Sequence, residues 1–458
     1  MNILTLIQMV QSLWILFMVV MLFWKFRIGV AACLAYMFLV PYMKIDIGGF
    51  TLQWNIIYII LLIAFFFHRQ QDYDEGFNYD WRPFLPFVIY FAVSLILIPV
   101  QDGVPFGEAI RFWRANLFQY LILPFVIWND IRISQESLKL YRNVTIVCIL
   151  IAAVYGLYLT TMPGINPYMI ALSAANGEEF NLAYAAGNSG ASDNTTINED
   201  RLFGRISSVF NHPMTFGLFL GFAIFYLYRN KDQMQKWIVY GMLLFILADI
   251  IACGVRSVIV ASFIAILVTL IQSRSYKLLA VTAIAGGIVW SLVTYIPTLN
   301  AYLGSIFDQA SSNVAGSSMN MRTSQFEGCL QEIKNCSLEG KGYSWTEYYT
   351  NNFGRHPTIL NFESLVFVIL CDSGIIGIIL WLAMGYTIVK YNNWSERPVA
   401  AMLNSLFVFY IAFACITGEY HYMKFFIIFY ILMLGEDLYM EDVEVEEAEV
   451  ETEEEVSY

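Results

Sequence analysis

The chain is a succession of long apolar runs separated by shorter polar segments. Most of the runs hold about 17 residues or more with almost no charge, which is the helix length needed to cross about 30 Å of hydrocarbon. They are continuous, whereas a membrane β-barrel shows alternating strands of about ten residues. The pattern therefore predicts an all-α fold, a polytopic transmembrane helical bundle with a large extracytoplasmic loop. The candidate spans are residues 3–24, 27–43, 54–68, 84–100, 111–128, 142–162, 212–229, 236–252, 257–272, 277–296, 363–389, 398–417 and 421–435.

The number of spans is predicted to be 12 or 13. The run at 27–43 is short and ends at Pro41, and only residues 417–420 separate the last run from its neighbour. We expect residues 1–435 to form one polytopic membrane domain. No basic segment with a cleavage site precedes the first run, which favours a retained membrane helix over a signal peptide.

The distribution of Lys and Arg predicts the orientation of the bundle. Basic residues resist translocation, so the loops that carry them are expected to face the cytoplasm. The loops that alternate with these carry few basic residues. Loop 163–200 has no Lys or Arg, and basic residues are sparse in the long loop 298–362. We expect both of these loops to lie outside. The basic loops carry Lys25, Arg27, Arg69, Arg82, Arg132, Lys139, Arg142, Arg229, Lys231, Lys236, Arg274, Lys277, Lys390 and Arg397.

Charge is concentrated at the C-terminus. The chain has 458 residues, of which 58% are hydrophobic and 14% charged, and its net charge is −12. Residues 436–455 hold twelve Asp or Glu and no Lys or Arg, so the remainder of the chain is balanced at zero. Segment 436–458 is too charged to bury a core and is predicted to be an acidic, disordered cytoplasmic tail. No nucleic-acid partner is expected.

Two of the seven cysteines raise the question of a disulfide. Cys329 and Cys336 lie in the long outer loop, whereas the other five fall within or at the ends of spans. Seven residues of continuous helix rise about 10.5 Å, which is too far for a disulfide. A bridge would require a helix break between the two residues, and otherwise both thiols are unpaired.

Two polar segments on the predicted outer side precede apolar spans. Residues 201–217 carry Arg201 and Arg205, which share a helix face if that stretch is helical. The turn Cys253-Gly-Val-Arg256-Ser257 places a cation beside hydrocarbon, where it is costly unless an anion meets it. Either a bound anion meets Arg256 or its side chain extends to a lipid phosphate.

The long loop carries the third set of candidates, with Arg322, Gly340-Lys-Gly342, Arg355 and His356 followed by Glu363 at the start of the next span. A histidine with a pKa near 6.5 can accept a proton at neutral pH, so His356 is a candidate general base. Glu363 is the rival base, unless it only interacts with the positive end of the helix dipole.

Several arginines near one histidine indicate phosphate binding combined with proton abstraction. Each guanidinium can bind two oxygens at once and keeps its charge, which suits a diphosphate. In this interpretation the cations hold a lipid-linked diphosphate as the leaving group. His356 then activates the hydroxyl that attacks the sugar carbon. The alternative is that His356 is an ordinary surface histidine in a loop.

These segments resemble the O-antigen ligase and O-antigen polymerase superfamily of bacterial envelope glycosyltransferases. The resemblance covers roughly residues 201–390, and the N-terminal half matches only as a set of apolar spans. The motifs that carry it are Arg205-Ile-Ser-Ser-Val-Phe-Asn-His-Pro, Gly254-Val-Arg256-Ser257, Arg322 followed by Gly340-Lys-Gly342, His356, and Asp372-Ser-Gly374-Ile-Ile-Gly377.

The resemblance implies a metal-independent, inverting transfer from an undecaprenyl diphosphate-linked sugar to a hydroxyl acceptor, in the bacterial cytoplasmic membrane with the site on its outer face. By it, Arg205 and Arg322 contact the diphosphate and His356 activates the acceptor. Here Pro357 follows the histidine, where the family often has Asn, and this keeps Glu363 open as the base. A flippase and a chain-length regulator of the same pathway are implied partners.

The motif order does not separate a polymerase from a ligase that transfers glycan to lipid A core. The two substantial outer loops favour the polymerase. A different class, a lipid-linked oligosaccharide flippase, would need ionisable residues along a central path, but few lie at span centres, Asp249 and Asp372 being partial exceptions. A purely structural membrane scaffold is the remaining alternative. The four histidines lack metal-ligand spacing and the chain lacks nucleotide-binding motifs, so no metal and no cofactor are expected.

Overall fold

The computed structural model describes residues 3–47, 50–72, 79–162, 165–177, 205–295, 319–394, 399–418 and 420–456. The candidate Arg201, most of loop 163–200 and residues 298–318 of the long loop lie outside this range.

Seventeen helices and one β-hairpin account for most of the described chain. The helices are α1 (Ile3–Trp24), α2 (Phe26–Leu39), α3 (Trp54–Asp72), α4 (Leu85–Leu97), α5 (Phe106–Leu117), α6 (Leu123–Ile131), α7 (Gln135–Leu159), α8 (Pro167–Ala175), α9 (Pro213–Arg229), α10 (Lys236–Cys253), α11 (Arg256–Gln272), α12 (Tyr276–Thr294), α13 (Met319–Glu332), α14 (Trp345–Phe353), α15 (Leu365–Trp394), α16 (Ala400–Thr417) and α17 (Met423–Val456). The antiparallel hairpin joins β1 (Lys44–Ile47) to β2 (Phe50–Gln53), with Lys44 opposite Gln53.

Six of these helices are long and apolar enough to cross a membrane, and four more are apolar but shorter. The six correspond to α1, α4 with its flanking turns, α7, α10, α15 and α16, and the shorter ones to α2, α3, α9 and α11. The prediction of an all-α helical membrane bundle is therefore confirmed. The predicted run 111–128 is divided, because a π-helix at Phe118–Ile122 joins α5 to α6.

Helix α17 forms the centre of the bundle. Every side chain from Phe425 to Leu434 is at most 2% exposed. Aromatic contacts surround this segment: the Tyr410 ring of α16 stacks on Phe426 at 5.3 Å between centroids, and the Phe38 ring of α2 stacks on Phe429 at 5.6 Å. A helix that is apolar on all sides belongs in a protein core or in a membrane, and here other helices cover it.

The backbone of α17 remains helical through Val456, across most of the segment predicted to be a disordered tail. The sequence contains no Gly or Pro after Gly435, so no residue interrupts the helix. Glu436, at the beginning of the acidic segment, is 2% exposed and contacts Arg142 of α7 at 3.2 Å. The acidic segment therefore begins inside the bundle, at the buried Glu436.

Polar contacts cluster at the two ends of the bundle. One end contains segments 98–105, 205–212, 319–364, 416–418 and 420–422, and we call it the site end. Three hydrogen bonds that join these segments are Tyr343 N to Gln101 Oε1 (3.1 Å), Arg322 Nη2 to Ile416 O (2.6 Å) and Tyr422 Oη to Asn211 Oδ1 (3.3 Å). The opposite end contains the buried Arg69–Asp130 pair and the Arg142–Glu436 pair.

Helix α15 is broken near the site end. Gly374 has φ 61° and ψ −151°, which interrupts the helical hydrogen bonds. Segment 337–342, which follows α13, fills the gap with its own backbone. The four hydrogen bonds run from Ile375 N to Ser337 O (2.9 Å), Ile376 N to Leu338 O (3.0 Å), Lys341 N to Cys371 O (2.7 Å) and Gly342 N to Asp372 O (3.2 Å).

The side chain of Gln101 completes this junction. Its Nε2 donates to the carbonyl oxygens of Glu339 and Asp372, and its Oε1 accepts from Tyr343 N. Gly103 N also donates to Lys341 O at 2.7 Å. The break in α15 therefore leaves these backbone groups paired, as a non-aqueous environment requires.

We expect Gly374→Ala and Gly340→Ala to destabilise the protein strongly. Both residues have positive φ, and a Cβ at either would lie 2.5 Å from a backbone atom of the other segment. Strain in the backbone alone costs about 1–3 kcal/mol. Thermal unfolding in detergent measures the effect. Gly241→Ala is the control, because nothing lies within 4 Å of its Cβ position in α10. Equal midpoints for Gly374→Ala and the control would show that the junction does not hold the fold together.

Candidate functional site

His356 lies between α14 and α15 and is 4% exposed. Paired backbone hydrogen bonds of 3.0 Å with Leu360 fix its main chain. Its Nδ1 accepts from Thr358 N at 3.3 Å and Ile359 N at 3.1 Å. Because amide N–H groups can only donate, Nδ1 acts as an acceptor, and the neutral ring carries its proton on Nε2.

The Nε2 atom of His356 faces a carboxylate. It lies 3.4 Å from Glu332 Oε1, at the last residue of α13. The other oxygen, Oε2, lies 3.2 Å from Lys341 Nζ. The three side chains form a row in which Glu332, 32% exposed, is far more accessible than His356. Both ring nitrogens of His356 therefore have partners within the protein. Of the two side chains, the Glu332 carboxylate is the more exposed to solvent.

Aromatic rings enclose the imidazole. The Tyr349 ring centroid lies 4.9 Å from that of His356, the Phe362 centroid 5.7 Å and the Trp345 centroid 6.3 Å. Burial lowers the pKa of His356 below its ordinary value, while the charge of Glu332 acts to raise it. The imidazole is therefore mainly neutral near pH 7, and its Nε2 proton points toward Glu332.

No sequence pattern marks Glu332 as part of this group. It is one carboxylate in a polar helix, 24 positions before the histidine. The motif Gly340-Lys-Gly342 does indicate Lys341, and the positive φ of Gly340 and Gly342 turns the chain back toward α13. The contact between Glu332 and His356 depends on this turn, which only the folded chain reveals.

Arg322 joins three elements of the site end. Its guanidinium donates to the carbonyl oxygen of Glu363, before α15, and to Ile416 O, near the end of α16, at 2.6 Å. The Glu363 carboxylate lies 3.7 Å from Nη2. Burial lowers the pKa of Arg322, and the charge of Glu363 opposes this shift. Several N–H groups of Arg322 therefore already donate to the protein itself. If Arg322 also binds a diphosphate, as the sequence predicts, it must do so through its other N–H groups.

The remaining candidates occupy different places at or near this end. Arg205 lies close enough to His212 and Cys253 to act on both electrostatically. His212 caps α9, since its Nδ1 accepts from Met214 N at 3.1 Å. Arg256 is the first residue of α11 and is partly exposed. Arg355 is exposed beside His356.

The structure thus brings His356 to Glu332 and Lys341, Arg322 to Glu363, and Arg205 to His212. Among the described residues, no three His, Cys, Asp or Glu side chains are grouped so as to hold a metal ion. The described cysteines, Cys329 and Cys336 included, are free thiols, and Cys329 hydrogen-bonds with Cys371 of α15.

Asp372 is a further buried group at the site end. It is 7% exposed, and its Oδ1 accepts from Thr346 N, the second residue of α14, at 2.8 Å. It also hydrogen-bonds with the Tyr420 side chain. Asp372 therefore joins α14, the break in α15 and the turn before α17.

We expect Glu332→Gln to lower the pKa of His356 further. The negative charge of Glu332 stabilises the imidazolium, so its removal leaves the effect of burial unopposed. Titration of ¹³C-labelled histidine rings by NMR measures this directly. Glu327→Gln, an exposed position on the same helix, is the matched control. An unchanged or raised pKa in Glu332→Gln would contradict the 3.4 Å contact.

We expect Arg322→Gln to loosen the loop against the bundle. Charged hydrogen bonds contribute roughly 1.5–3 kcal/mol each, and the variant loses two to carbonyl groups. The predicted results are a lower thermal midpoint and faster proteolysis within residues 319–364. Arg355→Gln should leave both properties unchanged, because Arg355 is exposed. If the two variants behave alike, Arg322 does not connect these elements.

No protein-family model and no curated protein matches this chain. The resemblance of residues 201–390 to the O-antigen ligase and polymerase superfamily therefore stays a prediction from sequence motifs.

Proposed function

We propose that the protein is a membrane glycosyltransferase that polymerises undecaprenyl diphosphate-linked oligosaccharide repeat units. It works at the outer face of the bacterial cytoplasmic membrane, without a metal or cofactor, and inverts the configuration of the transferred sugar. Its substrates are two carrier-linked glycans, one as donor and one as acceptor. A flippase that supplies the units and a chain-length regulator are its proposed partners.

One observation carries this proposal: the described candidate groups lie in segments at the same end of a helical membrane bundle. The row His356, Glu332 and Lys341, the pair Arg322 and Glu363, and the cluster around Arg205 all belong there. A lipid-linked substrate presents its headgroup at the membrane surface while its chain stays in hydrocarbon. Polar chemistry concentrated at one end of apolar helices suits such a substrate.

The proposed orientation follows from the basic residues. The opposite end of the bundle contains Arg27, Arg69, Arg82 and Arg142, and the acidic segment of α17 leaves from it. The positive-inside rule assigns that end to the cytoplasm. The site end, with loop residues 319–364, is then extracytoplasmic, and the acidic C-terminal segment is cytoplasmic.

The proposed reaction is a single displacement. The acceptor oxygen forms a bond to the anomeric carbon of the donor sugar, the bond from that carbon to the diphosphate oxygen breaks, and the carrier diphosphate leaves. The hydroxyl proton passes to the pair formed by Glu332 and His356. Glu332 presents the accessible carboxylate, and His356 with Lys341 holds it in place. Glu363, which faces Arg322, stays the alternative base.

Two other functions have support from specific features. An O-antigen ligase would use the same groups with lipid A core as the acceptor. A flippase would use intramembrane ionisable groups, and Asp249 of α10 is one: it is fully buried, and among the described residues its carboxylate oxygens have no hydrogen-bond partner. The concentration of the other candidates at one end favours the transferase.

We expect Glu332→Gln and His356→Ala to abolish long surface glycan in a strain from which the gene has been deleted. Loss of a general base slows such reactions by about 10²–10⁴-fold. A gel of extracted surface glycan should show single-repeat products in place of a ladder. Glu327→Gln, at equal expression, should restore the full ladder, and Glu363→Gln tests the rival base.

The pattern of failure distinguishes the alternatives. Long carrier-bound glycan with an unmodified core would indicate a ligase. Carrier-linked repeats retained on the cytoplasmic face, especially with Asp249→Asn, would indicate a flippase. Wild-type ladders from both His356→Ala and Glu332→Gln would exclude this pair as the base.

A further inference from the structure

A cleft at the site end contains a cation that the sequence motifs do not indicate. Two cavities of about 330 Å³ and about 200 Å³ share Pro41, Trp54 and Gln119 as walls, so they adjoin. The smaller one reaches Lys424, in the first turn of α17. Gln119 belongs to the π-helix between α5 and α6, an irregularity that is frequent at functional sites.

Lys424 is held among aromatic rings rather than carboxylates. Its Nζ lies 5.9 Å from the Tyr422 ring centroid and 5.4 Å from that of Phe425. Over the ranges that the structure describes, no Asp or Glu forms an ion pair with it. A half-buried cation without a protein anion is costly beside hydrocarbon, which indicates that a ligand supplies the anion.

Two further features of the cleft suit an anion. The Thr215 side chain lines it and is 1% exposed, and its hydroxyl has no hydrogen-bond partner within the described residues. Helices α9 and α17 both begin at this cleft, and the N-terminus of a helix carries a partial positive charge. Lys424, a free hydroxyl and two helix N-termini thus converge on one space.

The remaining walls suit a sugar. Trp54 and Tyr422 contribute aromatic rings to the cavity wall, and Gln119 contributes an amide. Arg322, the cation that the motifs favour for the diphosphate, already donates to two carbonyl oxygens and faces Glu363. Within the described part of the chain, Lys424 has no comparable protein partners.

We propose that this cleft binds the diphosphate of a lipid-linked saccharide, with Lys424 as its principal cation and the first sugar against Trp54. This inference rests on the proposed function, because it specifies where that substrate binds. It assigns the anion to Lys424 in place of Arg322. The shared chemistry is an anionic group carried by a saccharide, and the source proposed is the diphosphate rather than the carboxylate of an acidic sugar.

The test is a binding measurement on the full-length protein in nanodiscs. Calorimetry would compare three probes: farnesyl diphosphate, uncharged farnesol, and a glucuronate disaccharide. We expect Lys424→Gln to weaken binding of farnesyl diphosphate roughly 10- to 100-fold, the equivalent of one charged hydrogen bond. Farnesol binding should not change. Lys424→Arg should restore most of the affinity, and Lys236→Gln, exposed at the opposite end, is the control.

The thermal midpoint shows whether Lys424→Gln is correctly folded. If it is not, a second variant tests the cleft. Thr215→Val removes the unpartnered hydroxyl and should weaken diphosphate binding by a smaller factor. The inference fails if folded Lys424→Gln binds farnesyl diphosphate like the wild type, if it loses farnesol equally, or if only the glucuronate probe responds. The binding results do not depend on glycan ladders. The cleft assignment can therefore fail while the polymerase proposal stands, and the polymerase proposal can fail while the cleft assignment stands.

Discussion

The fold of the site end depends on one set of backbone hydrogen bonds, those by which segment 337–342 enters the broken helix α15. Within apolar surroundings a helix can be interrupted only if other groups satisfy its amides and carbonyls. Gly374 allows the interruption and Gly340 allows the close approach. This junction fixes the loop against helix α15. It therefore also fixes the position of the loop residues that follow segment 337–342. Asp372, Thr346 and the aromatic rings around His356 are all placed relative to it.

Cations in this protein serve two different purposes, which their contacts distinguish. Arg322 binds the ends of two helices through their carbonyl groups, and Lys341 holds Glu332 beside His356. Lys424 instead faces a cleft among aromatic side chains. A cation that already satisfies protein acceptors stabilises the architecture, whereas one that faces open space is available to a substrate.

The sequence alone predicted most of the apolar helices, but not the division of run 111–128, the helical acidic segment or the contacts of the loop. Apolar runs such as 363–389 predict their helices because burial in hydrocarbon leaves few alternatives. The break at Gly374 could not be predicted, since it requires a loop more than thirty residues earlier in the chain. Arg322 and His356 stand out by residue type, yet their partners are backbone groups and Glu332, for which no local pattern exists. The charge of the acidic segment predicts solvent exposure, while its helical continuation reflects the absence of Gly and Pro.

The π-helix at Phe118–Ile122 joins helices α5 and α6, two unlike halves of one continuous helical segment. Helix α5 before it buries only Ala109, whereas every residue of α6 after it is buried. Each residue turns a helix by about 100°, so the wider turn offsets the face of α6 from that of α5. Removal of a single residue there would rotate one half against the other. Helix α5 at the surface and helix α6 in the bundle can therefore orient their buried faces differently, although the two helices are continuous.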